Sequence, residues 1–380
     1  MINGQSPLSL CNYSCPKFPR QAALSCYTRL VVVETHFNSS GVFRAVSVFA
    51  ALLLLPAVFA EVPDALGGSV AKPALVVVRA GATAAEIQQA LDVLPASGGE
   101  VVLPAGNFEI SRPVVLSRDN QMLSGVGPAT VLRLEDGANC PVIIMGEPVN
   151  QPHRTVNHLL VSGLCIDGNR LHQRSELWQL TREGSEIRNN GITVQGVSDS
   201  AVKDVTCAHC RSGGLVTTLG VRRLTVQNLE AFDNEFDGLA CYSTADCQFV
   251  NLYLHDNPCA GISLDLSFDH NCVTNAVLTA NDLGIFMRAS SDNRFQDISI
   301  LHSRHFGVFI AQADVGTPNG WQPVAHGECK GNLFTNLNAT NCGGPAFHVN
   351  DPTCINNVVT DARAGAAFQG GLPTDTYSTF

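Results

Sequence analysis

The chain has 380 residues, of which 15% are charged, and it contains 33 Gly and 19 Pro. This composition favours one elongated β domain over two globular domains. The formal net charge of −10 argues against a nucleic-acid partner, because the polyanion would be repelled.

The first 60 residues are predicted to be a leader with a secretory signal peptide. The apolar run from Val42 to Ala60 has Arg44 at its edge and ends in Val58-Phe59-Ala60, a small-x-small pattern that indicates cleavage after Ala60. A membrane anchor is the alternative, but Pro56 interrupts an apolar core that is short for a span. We therefore expect a secreted or periplasmic protein with no stable membrane span after cleavage.

Residues 1–40 are either a long leader or a stretch translated upstream of the true start, and residues 61–75 are predicted to be a linker. A helix is predicted from Thr83 to Leu94, because apolar residues recur at helical spacing, Thr83 can cap the N-terminus and Glu86 stands three residues on. Such a helix can cover the exposed end of a stacked core. Short strands follow at Val114–Leu116, Gln121–Leu123, Thr130–Leu134, Val142–Met145 and Leu159–Ile166.

A repeat between Gly191 and Phe309 organises the chain. The phrase Gly-Ile-Thr-Val returns in related form every 23 or 24 residues, and an Asn or Asp keeps step with it. Apolar residues alternate with period 2, so each repeat holds two or three short strands. The leucine-rich repeat is the main rival, but its Leu-x-x-Leu-x-Leu signature is absent. The sequence therefore predicts an all-β solenoid whose coils bury their apolar faces against one another. The glycines are Gly191, Gly214, Gly238, Gly261, Gly284 and Gly307, and the turn residues are Asp204, Asn228, Asn251, Asn275 and Asp297.

The opening of this region resembles a known family. Thr-Ala-Ala-x-Ile-Gln-x-Ala-Leu-Asp from Thr83, Gly-Gly-x-Val-x-Leu-Pro-x-Gly-x-Phe from Gly98, Gly125-Val126-Gly127 and Ile166-Asp167-Gly168-Asn169 are similar to the pectate-lyase-like superfamily. The resemblance implies a right-handed parallel β-helix of roughly ten coils over residues 76–363, with an N-terminal capping helix. It also implies a secreted enzyme that acts on a polysaccharide. It does not identify the subgroup.

Two insertions interrupt the predicted coils, at residues 170–190 and 312–331. Trp178 lies in the first and Trp321 in the second. Loops on a rigid scaffold often carry function, so each Trp either stacks on a sugar ring of the substrate or anchors its own loop. Residues 364–380 are predicted to be a flexible tail.

The alternation within each repeat predicts an outward row four residues after each glycine. This row contains Tyr242, Asp265 and Arg288 in consecutive coils, which stack about 4.8 Å apart. We expect these side chains to lie together on one exposed sheet face. The alternative is a surface ion pair between Asp265 and Arg288 with Tyr242 packed beside it. The full row is Gln195, Thr218, Tyr242, Asp265, Arg288 and Ala311.

Turns on both sides of this row add titratable groups to the candidate site. His255 and His305, together with Asp269 and His270, are predicted as further catalytic residues. Asp256 and Asp282 are predicted substrate contacts. Asp237, Asn281 and Asp282 precede a repeat glycine in loop positions that favour Asp or Asn in any case, so all three are interpreted as turn formers.

Two reactions suit these residues. In β-elimination or C5 epimerisation of a uronate, Arg288 would neutralise the carboxylate, and Tyr242 with His255 or His305 would form the acid/base pair. In hydrolysis, Asp265 would be the general acid, and Asp256, Asp282 or Asp269 would activate water.

The motifs of the polygalacturonase-like subgroup are absent, and Phe268-Asp269-His270 lacks the Pro of the Asp-Pro-His motif of mannuronan epimerases. Calcium-dependent pectate lyases need an acidic cluster and a Lys or Arg base, and here only Arg288 could serve. We predict no cofactor and no metal ligands, with Ca²⁺ left open.

Eleven of the 14 cysteines follow Ala60, so at least one is unpaired within a monomer. Cys207-x-x-Cys210 stands alone, and Cys241 is at an inward position. Core filling with one or two disulfides is favoured over metal or redox chemistry.

Two functions remain open. The first is a secreted carbohydrate-active enzyme, either a lyase or epimerase or a glycoside hydrolase, with a polysaccharide substrate that contains uronate. The second is a non-catalytic β-helix that binds glycans or belongs to a surface structure. The oligomeric state is left unassigned.

Overall fold

Parallel strands stack coil upon coil along the chain. The computed structural model describes residues 74–178, 187–313 and 326–364. The predicted leader, nearly all of the linker and most of the predicted tail lie outside these residues, as does Trp321.

The described elements follow one another from the N-terminal end. In chain order they are β1 (Ala74–Val77), α1 (Ala84–Asp92), β2 (Gly99–Val102), β3 (Gly106–Ile110), β4 (Val114–Leu116), β5 (Gln121–Ser124), β6 (Thr130–Leu134), β7 (Ile143–Met145), β8 (Val156–Asn157), β9 (Leu160–Asp167), β10 (Ile192–Gln195), β11 (Val197–Ser198), β12 (Ala201–Ala208), β13 (Leu215–Thr218), β14 (Val221–Arg222), β15 (Thr225–Phe232), β16 (Leu239–Ala245), β17 (Gln248–His255), β18 (Ala260–Asp269), β19 (Cys272–Thr279), β20 (Leu283–Arg288), β21 (Arg294–Leu301), β22 (Val308–Ala311), β23 (Leu333–Thr340), β24 (Phe347–Val349), β25 (Val358–Thr360) and β26 (Arg363–Ala364).

Within the described residues these strands form a 14-stranded sheet and a 12-stranded sheet. We call the first the long-strand sheet; its main path runs β1-β2-β5-β9-β12-β15-β17-β19-β21-β23-β25. We call the second the ladder sheet; its main path runs β4-β7-β10-β13-β16-β18-β20-β22-β24. Each strand pairs in parallel with its equivalent one coil later, as in β15 with β17 and β13 with β16. The predicted all-β parallel solenoid is therefore confirmed.

The repeated glycine has a steric cause. A Cβ on Gly214 would lie 2.6 Å from the carbonyl oxygen of Gly238 in the next coil, and one on Gly284 would lie 2.5 Å from that of Gly307. The coils approach so closely here that no side chain fits. The next residue of each repeat then points into the core, where Ile192, Leu215 and Ile262 are fully buried.

The repeated Asn or Asp bends each long strand. Asn228, Asn251 and Asn275 have φ of 55–56°, a left-handed conformation that Asn tolerates better than most residues. Their amides bond from coil to coil, with Asn251 Nδ2 donating to Asn228 Oδ1 at 2.9 Å and Asn275 Nδ2 donating to Asn251 Oδ1 at 2.7 Å. The turn role predicted for this position is present in the structure.

A second, buried stack of asparagines holds the turns that lead into the ladder sheet. Asn257 Nδ2 donates to Ala231 O at 3.1 Å and to Asn281 Oδ1 at 3.0 Å. Its own Oδ1 accepts from the backbone N–H of Asn234 at 3.2 Å. These bonds satisfy backbone groups in turns that are withdrawn from water.

The predicted N-terminal helix is present as α1. Thr83 caps it, and the Glu86 carboxylate accepts a hydrogen bond from the Thr83 backbone N–H at 2.7 Å. Ile87 and Leu91 are fully buried and join the same apolar core as the strands.

Candidate functional site

The outward row forms in the predicted register. Gln195 pairs with Thr218, Tyr242 pairs with Asp265, and Arg288 pairs with Ala311 in neighbouring strands of the ladder sheet. The residues one position earlier, including Cys241 and Leu264, are buried in the core. The alternation that defines the row is therefore correct.

The row is not an exposed face, which corrects the expectation from the sequence. Asp265 is 4% exposed and Gln195 is fully buried. Gln195 Nε2 donates to the carbonyl oxygens of Glu147 and Val149, so residues 147–149 cover this end of the row. Segments between the strands lie over the sheet, and the alternation of apolar residues within the strands does not predict where those segments run.

Asp265 and Arg288 form a buried ion pair between adjacent coils. Arg288 Nε donates to Asp265 Oδ2 at 3.0 Å, and Nη2 contacts the same oxygen. The other carboxylate oxygen accepts from the Leu266 backbone N–H at 2.9 Å. Burial raises the pKa of Asp265 above its ordinary value, and the Arg288 charge opposes that rise.

The backbone is irregular directly after Asp265. Leu266 and Ser267 both have positive φ, at 53° and 70°, and together they lie opposite the single residue Ser243 of the preceding coil. This is a β-bulge, a feature often found beside active sites because it re-aims a side chain. A bulky Leu in the left-handed region is also strained.

Tyr242 stands beside Asp265 in the register and is half-buried. Burial raises the pKa of its phenol well above the usual value, and the negative charges of Asp237 and Asp265 add to the effect. The hydroxyl is therefore protonated at neutral pH and can donate a hydrogen bond or a proton.

Asp237 belongs to the same group, which the sequence interpretation missed. Its Oδ1 accepts from the Ala260 N–H at 2.8 Å, which is the turn role expected for it. Burial also raises the pKa of this carboxyl to about 7, and its charge acts on Tyr242. Asp237 directly precedes a repeat glycine, and a turn at that position is reason enough for an Asp. Nothing in the sequence therefore distinguished it from the other Asp and Asn residues that precede repeat glycines.

The first insertion brings a second cation to this group. Arg188 pairs with Glu176 within the insertion. Its positive charge lowers the pKa of both Asp237 and Tyr242, in opposition to burial. Trp178 is partly buried against the core, and its backbone N–H donates to Ile187 O at 3.0 Å.

The described end of the second insertion, residues 326–331, contacts Asp269 at the C-terminal end of β18. We call these residues the return stem. His326 Nε2 lies 3.1 Å from Asp269 Oδ1, and Asp269 also accepts from the Ser291 N–H at 2.8 Å. Asp269 thus holds the stem of the insertion, a partner that the sequence did not indicate.

The remaining predicted site residues pair among themselves or with other neighbours. His255 ends a strand of the long-strand sheet, where its Nδ1 lies 2.7 Å from Asp256 Oδ2 and its Nε2 lies 3.5 Å from Glu230 Oε1. Its ring stacks between Phe232 and Tyr253, with centroids 4.9 and 4.3 Å away.

His305 Nδ1 lies 2.8 Å from Asp282 Oδ1. His270 is exposed and 3.8 Å from Asp292. No contact within the described residues joins these histidines to Tyr242, Asp265 or Arg288.

Aromatic rings continue the outward face beyond Arg288. Phe286 and Phe309 stack with centroids 5.9 Å apart, and Phe309 stacks on His348 at 5.3 Å. The Arg288 guanidinium lies 5.4 Å from the Phe286 ring centroid. These residues occupy the outward row two positions before the Arg288 row, so the same alternation could have identified them.

Within the described ranges, no group of three or more His, Cys, Asp or Glu side chains is placed to hold a metal ion. In that same part of the chain, no helix has the length and apolar character needed to cross a membrane.

Comparison with known proteins supports the architecture. Residues 155–282 match the family model described as the right-handed beta helix region. No curated protein matches the chain in sequence.

Solved structures share the fold at low identity. The N-terminal fragment of bacteriophage Phi29 gene product 12 is 15% identical, with a TM-score of 0.55 over 75% of this chain and 56% of that one. The A-module of the Azotobacter vinelandii mannuronan C-5 epimerase AlgE4 is 16% identical, with a TM-score of 0.49 over 76% and 92%. Endo-xylogalacturonan hydrolase from Aspergillus tubingensis is 12% identical, with a TM-score of 0.49 over 80% and 98%. The family-model match and the Phi29 fragment show that the fold is a right-handed parallel β-helix, as the opening motifs implied.

Proposed function

We propose that the protein is a carbohydrate-active enzyme that acts on a uronate-containing polysaccharide at the outward face of the ladder sheet. The observation that carries this proposal is the buried Asp265–Arg288 pair beside the protonated Tyr242. Tyr242, Asp265 and Arg288 place a hydroxyl donor, a carboxylate and a guanidinium side by side on a rigid sheet, and chemistry on an acidic sugar requires these groups.

The reaction best supported is removal of the C5 proton of a uronate, followed by β-elimination or by reprotonation from the opposite face. A guanidinium has five N–H donors, and Asp265 accepts two of those of Arg288. Arg288 can therefore neutralise the substrate carboxylate while Asp265 holds it in position. Neutralising that carboxylate makes the C5 proton more acidic.

Asp237 supplies the base and Tyr242 supplies the acid. Asp237, with a pKa of about 7, is poised to accept a proton near neutral pH. The phenol of Tyr242 stays protonated, so it is suited to act as the general acid. In elimination the C5–H and C4–O bonds break, the C4=C5 double bond forms, and the leaving oxygen takes the acid's proton. In this scheme Asp237 takes the role that the sequence suggested for His255 or His305.

The half-buried rings of Phe286, in the coil of Arg288, and Phe309, in the next coil, extend the same face. Sugar rings present C–H groups that pack on aromatic faces, so we infer that neighbouring sugars of the chain lie there. Trp178 belongs to the first insertion, and its partly buried side chain suits an anchoring role there.

Hydrolysis is the second candidate, because two carboxylates, those of Asp237 and Asp265, share the site. Asp237 would then be the general acid, and Asp265 would be the ionised partner, supported by Arg288. In this scheme the general-acid role that the sequence suggested for Asp265 belongs to Asp237. Non-catalytic glycan binding is the third candidate, since a buried ion pair can also serve structure alone.

The test is incubation of the purified chain with a panel of polyuronates. Ultraviolet absorbance of unsaturated uronate would identify a lyase, and exchange of C5 hydrogen with solvent alone would identify an epimerase. New reducing ends without that absorbance would identify a hydrolase. Glycan binding with no product would refute the enzymatic proposal.

The Asp265→Asn and Arg288→Lys variants should lose the activity found. Asp246→Asn is the matched control, because Asp246 pairs with Arg222 on the exposed edge of the same sheet at 3.0 Å. Full activity in both site variants would show that the site lies elsewhere.

A further inference from the structure

Two buried cysteines lie near the C-terminal end of the described chain: Cys329 in the return stem of the second insertion, and Cys354 between β24 and β25. The strands that follow them pair with an offset of 25 residues, Leu333 with Val358. Cys329 and Cys354 have the same offset, so they are equivalent positions in adjacent coils. Stacked positions lie about 4.8 Å apart, which is within the Cα separation that a disulfide spans.

The contacts agree with this stacking. The Cys329 N–H donates to Cys354 Sγ at 3.3 Å. Three residues further on, Asn332 Nδ2 donates to Asn357 Oδ1 at 2.8 Å, which shows that the two coils are in register here. In the described part of the chain all eleven cysteines are thiols, and no strand register pairs two of them directly. Cys329 and Cys354 are related by extending the register of Leu333 and Val358.

We propose that Cys329 and Cys354 form a disulfide that fastens the second insertion to the last coil. The oxidant is a small-molecule disulfide, such as oxidised glutathione, or a disulfide oxidoreductase. The Cys354 thiolate attacks one sulfur of the oxidant and expels a thiolate. Cys329, after loss of its proton, then attacks Cys354 Sγ and expels the second. Two protein thiols and one external disulfide thus give one protein disulfide and two external thiols.

The local chemistry favours Cys354 as the attacking sulfur. The hydrogen bond from Cys329 lowers the pKa of the Cys354 thiol to about 7, so much of it is thiolate near neutral pH. Burial raises the pKa of Cys329, which suits the resolving position. Because both sulfurs are buried, the oxidant reaches Cys354 by a local opening in which the two cysteines stay adjacent.

The link would act on the stem that reaches the candidate site. Cys329 Sγ lies 3.5 Å from the carbonyl oxygen of Ala311, a member of the outward row. In the same stem, His326 contacts Asp269, and the Lys330 N–H donates to Ser291 Oγ at 3.0 Å. The disulfide would therefore keep this stem closed over the end of the ladder sheet. It does not depend on the proposed reaction.

The experiment is peptide mapping of the full chain after refolding with oxidised glutathione and alkylation in denaturant. Cleavage after Lys330 and before Asp351 separates both cysteines from Cys342. We expect a linked Cys329–Cys354 peptide pair that Cys354→Ser removes and Cys342→Ser leaves intact. If both thiols were fully alkylated in the wild-type chain, the proposal would be overturned.

Thermal unfolding gives a second readout. Reductant should lower the midpoint of the oxidised wild-type chain by roughly 5 °C, since the disulfide closes a loop of moderate length. The Cys354→Ser chain should show no reductant-dependent shift, and Cys342→Ser should behave as the wild type. A shift of equal size in Cys354→Ser would assign the effect to another pair and refute this one.

Discussion

Arg288 donates its Nε–H to Asp265 at 3.0 Å across adjacent coils, where Asp265 is almost completely buried. Removing one member of a buried pair leaves the other charge without a partner, which is costly. We expect Arg288→Ala to lower the free energy of unfolding by about 3–5 kcal/mol.

The control for this prediction is Arg222→Ala, which removes an exposed ion pair with Asp246. Its loss should be within about 1 kcal/mol in urea denaturation. Equal losses in the two variants would show that burial of the Asp265 pair is unimportant.

Asp237 should make the stability fall as pH rises. Its pKa is raised from 3.8 to about 7 by burial, so the folded state binds more protons than the unfolded state between these values. The free energy of unfolding therefore decreases with pH over that window, at up to about 1.4 kcal/mol per pH unit, and levels off above it. Asp237→Asn should remove this slope. Urea denaturation at a series of pH values from about 4 to 8 measures the slope of the unfolding free energy against pH. An unchanged slope in the variant would contradict the shifted pKa.

The pH profile of activity separates the two reactions proposed. If Asp237 is the base for C5 proton removal, the rate should rise as pH rises through about 7. If it is the general acid of a hydrolase, the rate should fall across the same range. Asp237→Asn should abolish this pH dependence of the rate in either case. A pH dependence that persists in the variant would belong to another titratable group.

Tyr242→Phe should reduce the rate without unfolding the protein. The phenol is held protonated by burial and by nearby carboxylates, so the hydroxyl is the feature lost. A general acid contributes about 10²–10⁴-fold, and we expect a loss of that size. Stability should change by less than about 1 kcal/mol. Retained activity would exclude Tyr242 as the acid.

The buried asparagine stack should matter more than the exposed one. Asn257→Ala removes side-chain bonds to Ala231 and Asn281 in a turn without access to water, so we expect a loss of about 3 kcal/mol or more. Asn251→Gly is the control, because glycine tolerates the left-handed φ and only exposed bonds are lost. Comparable losses would mean that burial does not set the cost.

The sequence alone determined the architecture and the register of the outward row. Both follow from local rules: alternation sets which side chains point inward, and a glycine recurs wherever the backbones of two coils nearly touch. Once the period was known, Tyr242, Asp265 and Arg288 had to be neighbours. The aromatic row of Phe286 and Phe309 was accessible by the same reasoning.

Only the tertiary structure decided the environment of that row. Burial of Asp265, the cover over Gln195 and the approach of Arg188 depend on non-repeating segments, whose paths follow no period. The pKa of Asp237 depends on that cover, because desolvation arises from everything packed around a carboxyl and not from its neighbours in sequence. For the same reason His255, which shares coils with the row, has its observed partners on the other sheet.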